Sequence, residues 1–170
     1  MPSRRTPLMI ANYIKYRGSP PPDLDWITDS LAVGGAIPDH QIQAIHTLGV
    51  GSVVDLRCES RDNVAELNRL GIRFLHLPTR DWHPPTVEDL ERGSAWVLDE
   101  MAQGRKVLVH CQHGIGRSVI LVAVVLVRMG YDWQEALRLV RVKRWGASPN
   151  AQQVSALAEF AQQHKREPAT

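Results

Sequence analysis

The sequence predicts an α/β fold, a central and mostly parallel sheet flanked by helices. Three observations predict it. Short apolar runs rich in β-branched residues, at 52–56, 72–77 and 106–109, read as buried strands. Stretches with apolar residues at helical spacing lie between them, and strands alternating with helices argue for a parallel sheet covered on both faces. The last strand then runs through a glycine-containing loop, Cys111–Gly116, into the unbroken apolar helix Val119–Val127.

Taken in order, residues 1–25 form an N-terminal extension to a domain spanning 26–166. Within the extension, Leu8–Tyr16 has the spacing of a short helix, broken by the glycine and prolines of residues 18–22. It either drapes over the domain, serves against a partner, or stays a free tail. Trp26–Gly34 reads as a hairpin or edge strand ending at Gly34 and Gly35. Pro38–Leu48 is helical through Ile42, Ile45 and Leu48, and Gly49 ends it. Ser52–Leu56 is a strand with Arg57, Cys58 and Glu59 at its C-terminal end. Asn63–Leu70 is a helix stopped by Gly71, Ile72–Leu77 the next strand, and Pro78–Thr86 a loop. Val87–Gln103 is a long amphipathic helix with Glu88 and Asp89 where its dipole favours acids. Lys106–Val109 is the central strand. Asp132–Arg141 and Pro149–His164 are two more helices, with Asp132 and Ser148 as N-caps and Pro149 in the first turn.

The chain has 170 residues, 44% apolar and 22% charged, which suits one soluble domain with a real core. A net charge of +2 gives no argument for nucleic acid or a membrane surface as partner. Two cysteines, Cys58 and Cys111, imply no disulfide scaffold and fit a reducing cytoplasm. No apolar run reaches the roughly 18 residues of a membrane span, and Met1–Ile10 has no signal-peptide pattern.

Ligands of parallel sheets bind at the C-terminal ends of strands. Three loops converge there: Arg57–Arg61, Pro78–Pro85 and Cys111–Arg117. In the last, Gly114 and Gly116 let the backbone fold inward, so that the amides of Gln112, His113, Gly114, Ile115 and Gly116 face one point. The following helix N-terminus adds partial positive charge, making an anion site. A cysteine in such a setting favours the thiolate, its nucleophilic form, which makes Cys111 the candidate nucleophile. Arg117 can grip two oxygens of a phosphoryl group at once. Ser118 can donate a hydrogen bond to the sulfur, and His110, just before the loop, orients backbone. Cleavage of a phosphoester needs a proton for the leaving oxygen. Asp81, about 30 positions before the cysteine, is the candidate acid, with Asp89 and Asp55 as weaker alternatives. Arg57 and Arg61 either line the rim or are solvated, and His83 and His113 either contact substrate or fill their loops. No cofactor is expected. No metal is expected either, because no C-x2-C or H-x3-H pair has a second pair to complete it.

The run HCQHGIGRS resembles the H-C-x5-R-[ST] signature of the cysteine-dependent protein tyrosine phosphatase superfamily. From Trp26 to Phe160 the order of segments is similar to small atypical members of its dual-specificity, VH1-like branch. The resemblance implies a protein tyrosine phosphatase-like fold and metal-independent hydrolysis of phosphate monoesters through a cysteinyl-phosphate. It implies a phosphorylated protein or small phosphoester as partner, with phosphotyrosine and phosphoserine or phosphothreonine as targets. A phosphatase of phosphoinositides or other non-protein phosphates, or a phosphate-binding pseudophosphatase, is the alternative. The absence of lysine from the loop favours phosphoprotein or aryl phosphate. Asp81, followed by an aromatic and then Pro84 and Pro85, resembles the general acid of small atypical members. Residues 144–153 resemble the segment R-P-x-x-x-P-N-x-x-x that supports the site, with Trp145 in place of proline. Asn150 there either braces the loop or caps a helix. In some superfamily members a second cysteine shields the nucleophile by a disulfide, which makes Cys58 a candidate redox partner of Cys111. A rhodanese-like sulfurtransferase fits the Arg117–Ser118 ending less well, and a low-molecular-weight phosphatase would carry its loop near the N-terminus.

Overall fold

Among the described residues, five strands form one sheet in the order β1-β2-β5-β3-β4. They are β1 Leu24–Trp26, β2 Leu31–Gly34, β3 Val50–Arg57, β4 Arg73–Thr79 and β5 Lys106–His110. β1 runs antiparallel to β2, and every other pairing is parallel. The computed structural model describes residues 20–164, so the helix expected at Leu8–Tyr16 lies outside the described residues. Among the described residues, six α-helices accompany the strands: α1 Ile42–Thr47, α2 Val64–Arg69, α3 Val87–Ala102, α4 Arg117–Arg128, α5 Trp133–Lys143 and α6 Ala151–His164. None of the described helices is long and apolar enough to cross a membrane.

Strand alternation divides the core in two. Val107, Val109, Val54, Leu56 and Leu77 face a large cluster made with α3, α4, α5 and α6. Leu108, Val53, Ala32 and Ile72 face a smaller one made with α1 and α2. α4 is apolar all round because it is buried all round, from Arg117 to Leu126. It packs against β2, β5, α3, α5 and α6, which fixes its N-terminus at the end of the central strand.

Helix starts follow local chemistry. Asn63, Thr86 and Asp132 accept hydrogen bonds from Glu66, Asp89 and Gln134 amides. The cap of α6 differs from the sequence expectation. Asn150, rather than Ser148, accepts the Gln153 amide at 3.0 Å, and Gln153 Oε1 accepts the Asn150 amide at 3.0 Å. This is a reciprocal capping box, so α6 begins after Asn150 instead of at Pro149.

Candidate active site

β5 delivers His110 and Cys111 to the C-terminal edge of the sheet, and α4 begins six residues later. The connecting loop is held from two sides. Cys111 N–H donates to the Gly34 carbonyl at 3.4 Å, and Ala36 N–H donates to the Gln112 carbonyl at 3.0 Å. Gly114 has φ +67°, and a Cβ there would lie 2.5 Å from the Gly34 backbone. Only glycine permits both the left-handed turn and this close approach.

The other clamp is Arg144, which is buried. Its Nε donates to the Gly114 carbonyl at 3.1 Å and its Nη2 to the His113 carbonyl at 3.0 Å. The same guanidinium pairs with Asp23 at 2.6 and 2.9 Å and with Asp25 at 3.0 Å. Burial works against its charge, but the two carboxylates outweigh that and raise its pKa. Arg144 therefore ties the loop to the start of β1.

Among the described residues, no amide from Gln112 to Gly116 donates to a protein acceptor. A pocket of about 100 Å³ opens over the loop, lined by Asp81, Trp82, Cys111, His113, Ile115 and Arg117 among others. Gly116 also lines it, whereas the carbonyls of Gln112 and Gly114 are taken by the loop's anchoring and leave their amides free. Cys111 Sγ is 3.3 Å from Ser118 Oγ.

Arg117 is buried and carries three kinds of acceptor. Glu59 takes it bidentately at 2.7 and 2.8 Å, the Thr79 carbonyl accepts at 2.9 Å, and Asp81 Oδ1 lies 3.2 Å from Nη2. The hydrogen bonds from Arg117 hold the Glu59 carboxyl down at about 2. Burial opposes the Arg117 charge, but Glu59, Cys111 and Asp81 together raise its pKa. Asp81 is the acid nearest this guanidinium after Glu59, and its side chain is 54% exposed. Asp55 is fully buried in an ion pair and Asp89 joins the Thr86 cap, so neither alternative acid reaches the pocket.

The loop carrying Asp81 is fastened to α6. Asn150 Nδ2 donates to the Trp82 carbonyl at 2.7 Å, and Gln153 Nε2 to the His83 carbonyl at 3.2 Å. His83 Nδ1 donates to the Asp81 carbonyl at 2.9 Å, but His83 does not line the pocket. Trp82 is held at φ +63°, a costly conformation for a bulky residue and one that concentrates at functional sites. Asn150 thus caps α6 and ties down the Asp81 loop, while the hold on the Cys111 loop falls to Arg144.

Other expectations need correction. Arg57 is not at the rim: it is buried and bound to Asp55 and Asp62. Arg61 stacks over Phe74 at 5.5 Å. Cys58 is exposed and unpaired, just beyond the end of β3. His110 is fully buried behind the loop. Sequence reasoning missed Asp23 and Asp25, and it placed Glu59 in a site loop and Arg144 in a supporting segment without seeing what either binds. The partners are far apart in sequence, up to 121 positions, so no local pattern marks them.

Residues 35–163 match the family model described as dual specificity phosphatase, catalytic domain. PRL-1 phosphatase of Drosophila melanogaster is 32% identical over 124 residues, 72% of this chain and 69% of that protein. Human phosphatidylglycerophosphatase and protein-tyrosine phosphatase 1 is 29% identical over 168 residues, 89% of this chain and 82% of that protein. The crystal structure of Tk-PTP in the active form superposes with a TM-score of 0.77 at 29% identity, covering 83% of this chain and 97% of that one. By its sheet, its loop and these matches, the chain belongs to the dual specificity phosphatase family of cysteine-dependent phosphatases.

Proposed function

We propose that this phosphatase acts on phosphotyrosine, and on phosphoserine or phosphothreonine, in proteins, with roles divided among the pocket residues as follows. Cys111 Sγ attacks phosphorus, and the ester oxygen leaves with a proton from Asp81. The resulting cysteinyl-phosphate is cleaved by water, whose proton passes to the Asp81 carboxylate. Ser118 donates to the sulfur as it leaves. The Gln112–Gly116 amides and Arg117 hold the transferring group, making this a phosphate-binding loop. The observation that carries the reading is the convergence of Cys111, Arg117 and Asp81 on one pocket, with Asp81 3.2 Å from the Arg117 guanidinium. We place the protein in the cytoplasm, where free thiols such as Cys58 and Cys111 stay reduced.

A second reading is a phosphoinositide or other non-protein phosphate as substrate. The relative named phosphatidylglycerophosphatase and protein-tyrosine phosphatase 1 favours it. The test is phosphate release in chelator from a phosphotyrosine peptide, a phosphothreonine peptide and a phosphatidylinositol phosphate, each at matched concentration. Peptide turnover exceeding lipid turnover by tenfold or more is expected. The reverse ratio transfers the assignment to the second reading.

A further inference from the structure

On the face of the sheet opposite the Cys111 thiol lies a closed cluster of four charged or titratable groups. Val54 and Leu56 of β3 enter the large core, while Asp55 and Arg57 alternate to the other side. Val109 of β5 and Cys111 just past its end enter the large core, and His110 between them alternates to the other side. Asp55 and His110 are register partners on neighbouring strands. Asp62, from the loop after β3, completes the group.

We propose that Asp62 is a positioning residue for the nucleophile: it holds His110 so that both ring nitrogens donate, one to Asp62 and the other to the backbone carbonyl of Cys111. Two independent arguments lead there. The first is geometric. His110 Nε2 is 2.7 Å from Asp62 Oδ2, and Nδ1 is 3.3 Å from the Cys111 carbonyl oxygen. A carboxylate and a carbonyl only accept, so each nitrogen facing one must carry hydrogen. A neutral ring has a single N–H and satisfies one of the two contacts.

The second argument is charge balance. Arg57 Nε and Nη2 donate to Asp55 at 3.0 and 2.9 Å, and Nη2 donates to Asp62 Oδ1 at 2.7 Å. The Asp62 amide donates to Asp55 Oδ2 at 3.1 Å. Two carboxylates and one guanidinium leave one negative charge in a site without solvent, which is costly. A doubly protonated His110 closes the balance to zero. The groups facing His110 are Asp55 from β3 and Asp62 from the loop; Arg57 binds both carboxylates, and His76, the β4 register partner of Asp55, reaches the Arg57 carbonyl at 2.7 Å. Asp55, Asp62 and His110 bring ligating atoms within 4.8 Å of one another, but the guanidinium of Arg57 already occupies both carboxylates.

The consequence reaches the sulfur through one peptide unit. The His110 N–H anchors the Cys111 carbonyl, and its positive charge sits one residue from the thiolate, favouring that form. The inference rests on Cys111 as nucleophile, yet its readouts do not need turnover. In the full-length chain, Asp62→Asn removes one negative charge, so Asp55 and Arg57 balance with a neutral His110 and the fold is kept. Alkylation of Cys111 by iodoacetamide, followed on the Cys111 peptide, is measured at about pH 6 and about pH 9. The ratio of the two rates is expected to fall about tenfold in Asp62→Asn, and Asp62→Glu recovers part of it. An unchanged ratio in a folded Asp62→Asn protein overturns the proposal. Should that variant not fold, the wild type decides by nitrogen-15 NMR of its histidine rings. Two protonated nitrogens on His110 at neutral pH are expected; a single bare nitrogen overturns the assignment. Loss of turnover in Cys111→Ser together with an unchanged alkylation ratio in Asp62→Asn would separate failure of this inference from failure of the phosphatase mechanism.

Discussion

Glu59 controls the arginine on which the pocket depends, and Glu59→Gln tests that dependence. The carboxylate takes both terminal nitrogens of Arg117, at 2.7 and 2.8 Å. Glutamine keeps one acceptor and turns an NH2 donor toward the other guanidinium nitrogen, so one charge-assisted bond becomes a donor–donor contact. Such bonds contribute about 1.5–3 kcal/mol when dry. The Glu59 side chain is 40% exposed, so solvent screening brings the loss just below that range, to about 1.4 kcal/mol. If that energy orients Arg117 for the transferring phosphoryl group, kcat/KM for an aryl phosphate falls about tenfold. Steady-state kinetics with p-nitrophenyl phosphate measure it. A kcat/KM within twofold of wild type, or above it, would refute the reasoning by making Glu59 a competitor for the arginine. Acid stability gives the companion result. The Glu59 carboxyl is lowered from 4.5 to about 2, so its contribution is complete above 4.5 and fades as pH falls toward 2. The stability difference between wild type and Glu59→Gln, about 1 kcal/mol at neutral pH after screening, should therefore vanish between these values.

Gly114→Ala forces a side chain into a left-handed turn 2.5 Å from the Gly34 backbone, and should abolish turnover with a loss of more than about 1 kcal/mol by denaturant titration. Asn150→Ala loses the α6 cap and the bond to the Trp82 carbonyl. It should cost about 1 kcal/mol in thermal unfolding and lower kcat several-fold, with KM little changed, because the Asp81 loop is loosened. Under mild peroxide, Cys58 and Cys111 are expected to lose two protons and two electrons to form a disulfide while peroxide is reduced to water. Peptide mapping reads the cross-link, and its absence in an inactivated sample rules the pairing out.

The strands and helices were legible because their signals are local. Periodicity over a few residues places β3, β4, β5 and α3 within one or two residues of their observed ends. The Cys111 loop was legible for the same reason, since strand, cysteine, glycines, arginine and helix follow in one run. What depends on distant partners was not. Arg57 near a strand end reads as a surface cation until Asp62 closes over it from the next loop. Arg144 reads as part of a supporting segment, but its clamp needs Asp23 and Asp25, which lie across the whole domain in sequence. The α6 cap was decidable locally. Gln153 three positions after Asn150 marks the capping box, and the Ser148–Pro149 pair drew the boundary two residues early.

The measurement that tests the central claim most directly is rapid-quench trapping of the covalent intermediate. Wild type and Cys111→Ser are mixed with p-nitrophenyl phosphate in chelator, quenched within the first turnover, and analysed by intact and peptide mass. The account predicts one phosphoryl group on the Cys111 peptide of the wild type, an early burst of nitrophenol, and neither signal in Cys111→Ser. Equal turnover by Cys111→Ser, or a phosphoryl group on any other residue, would contradict it.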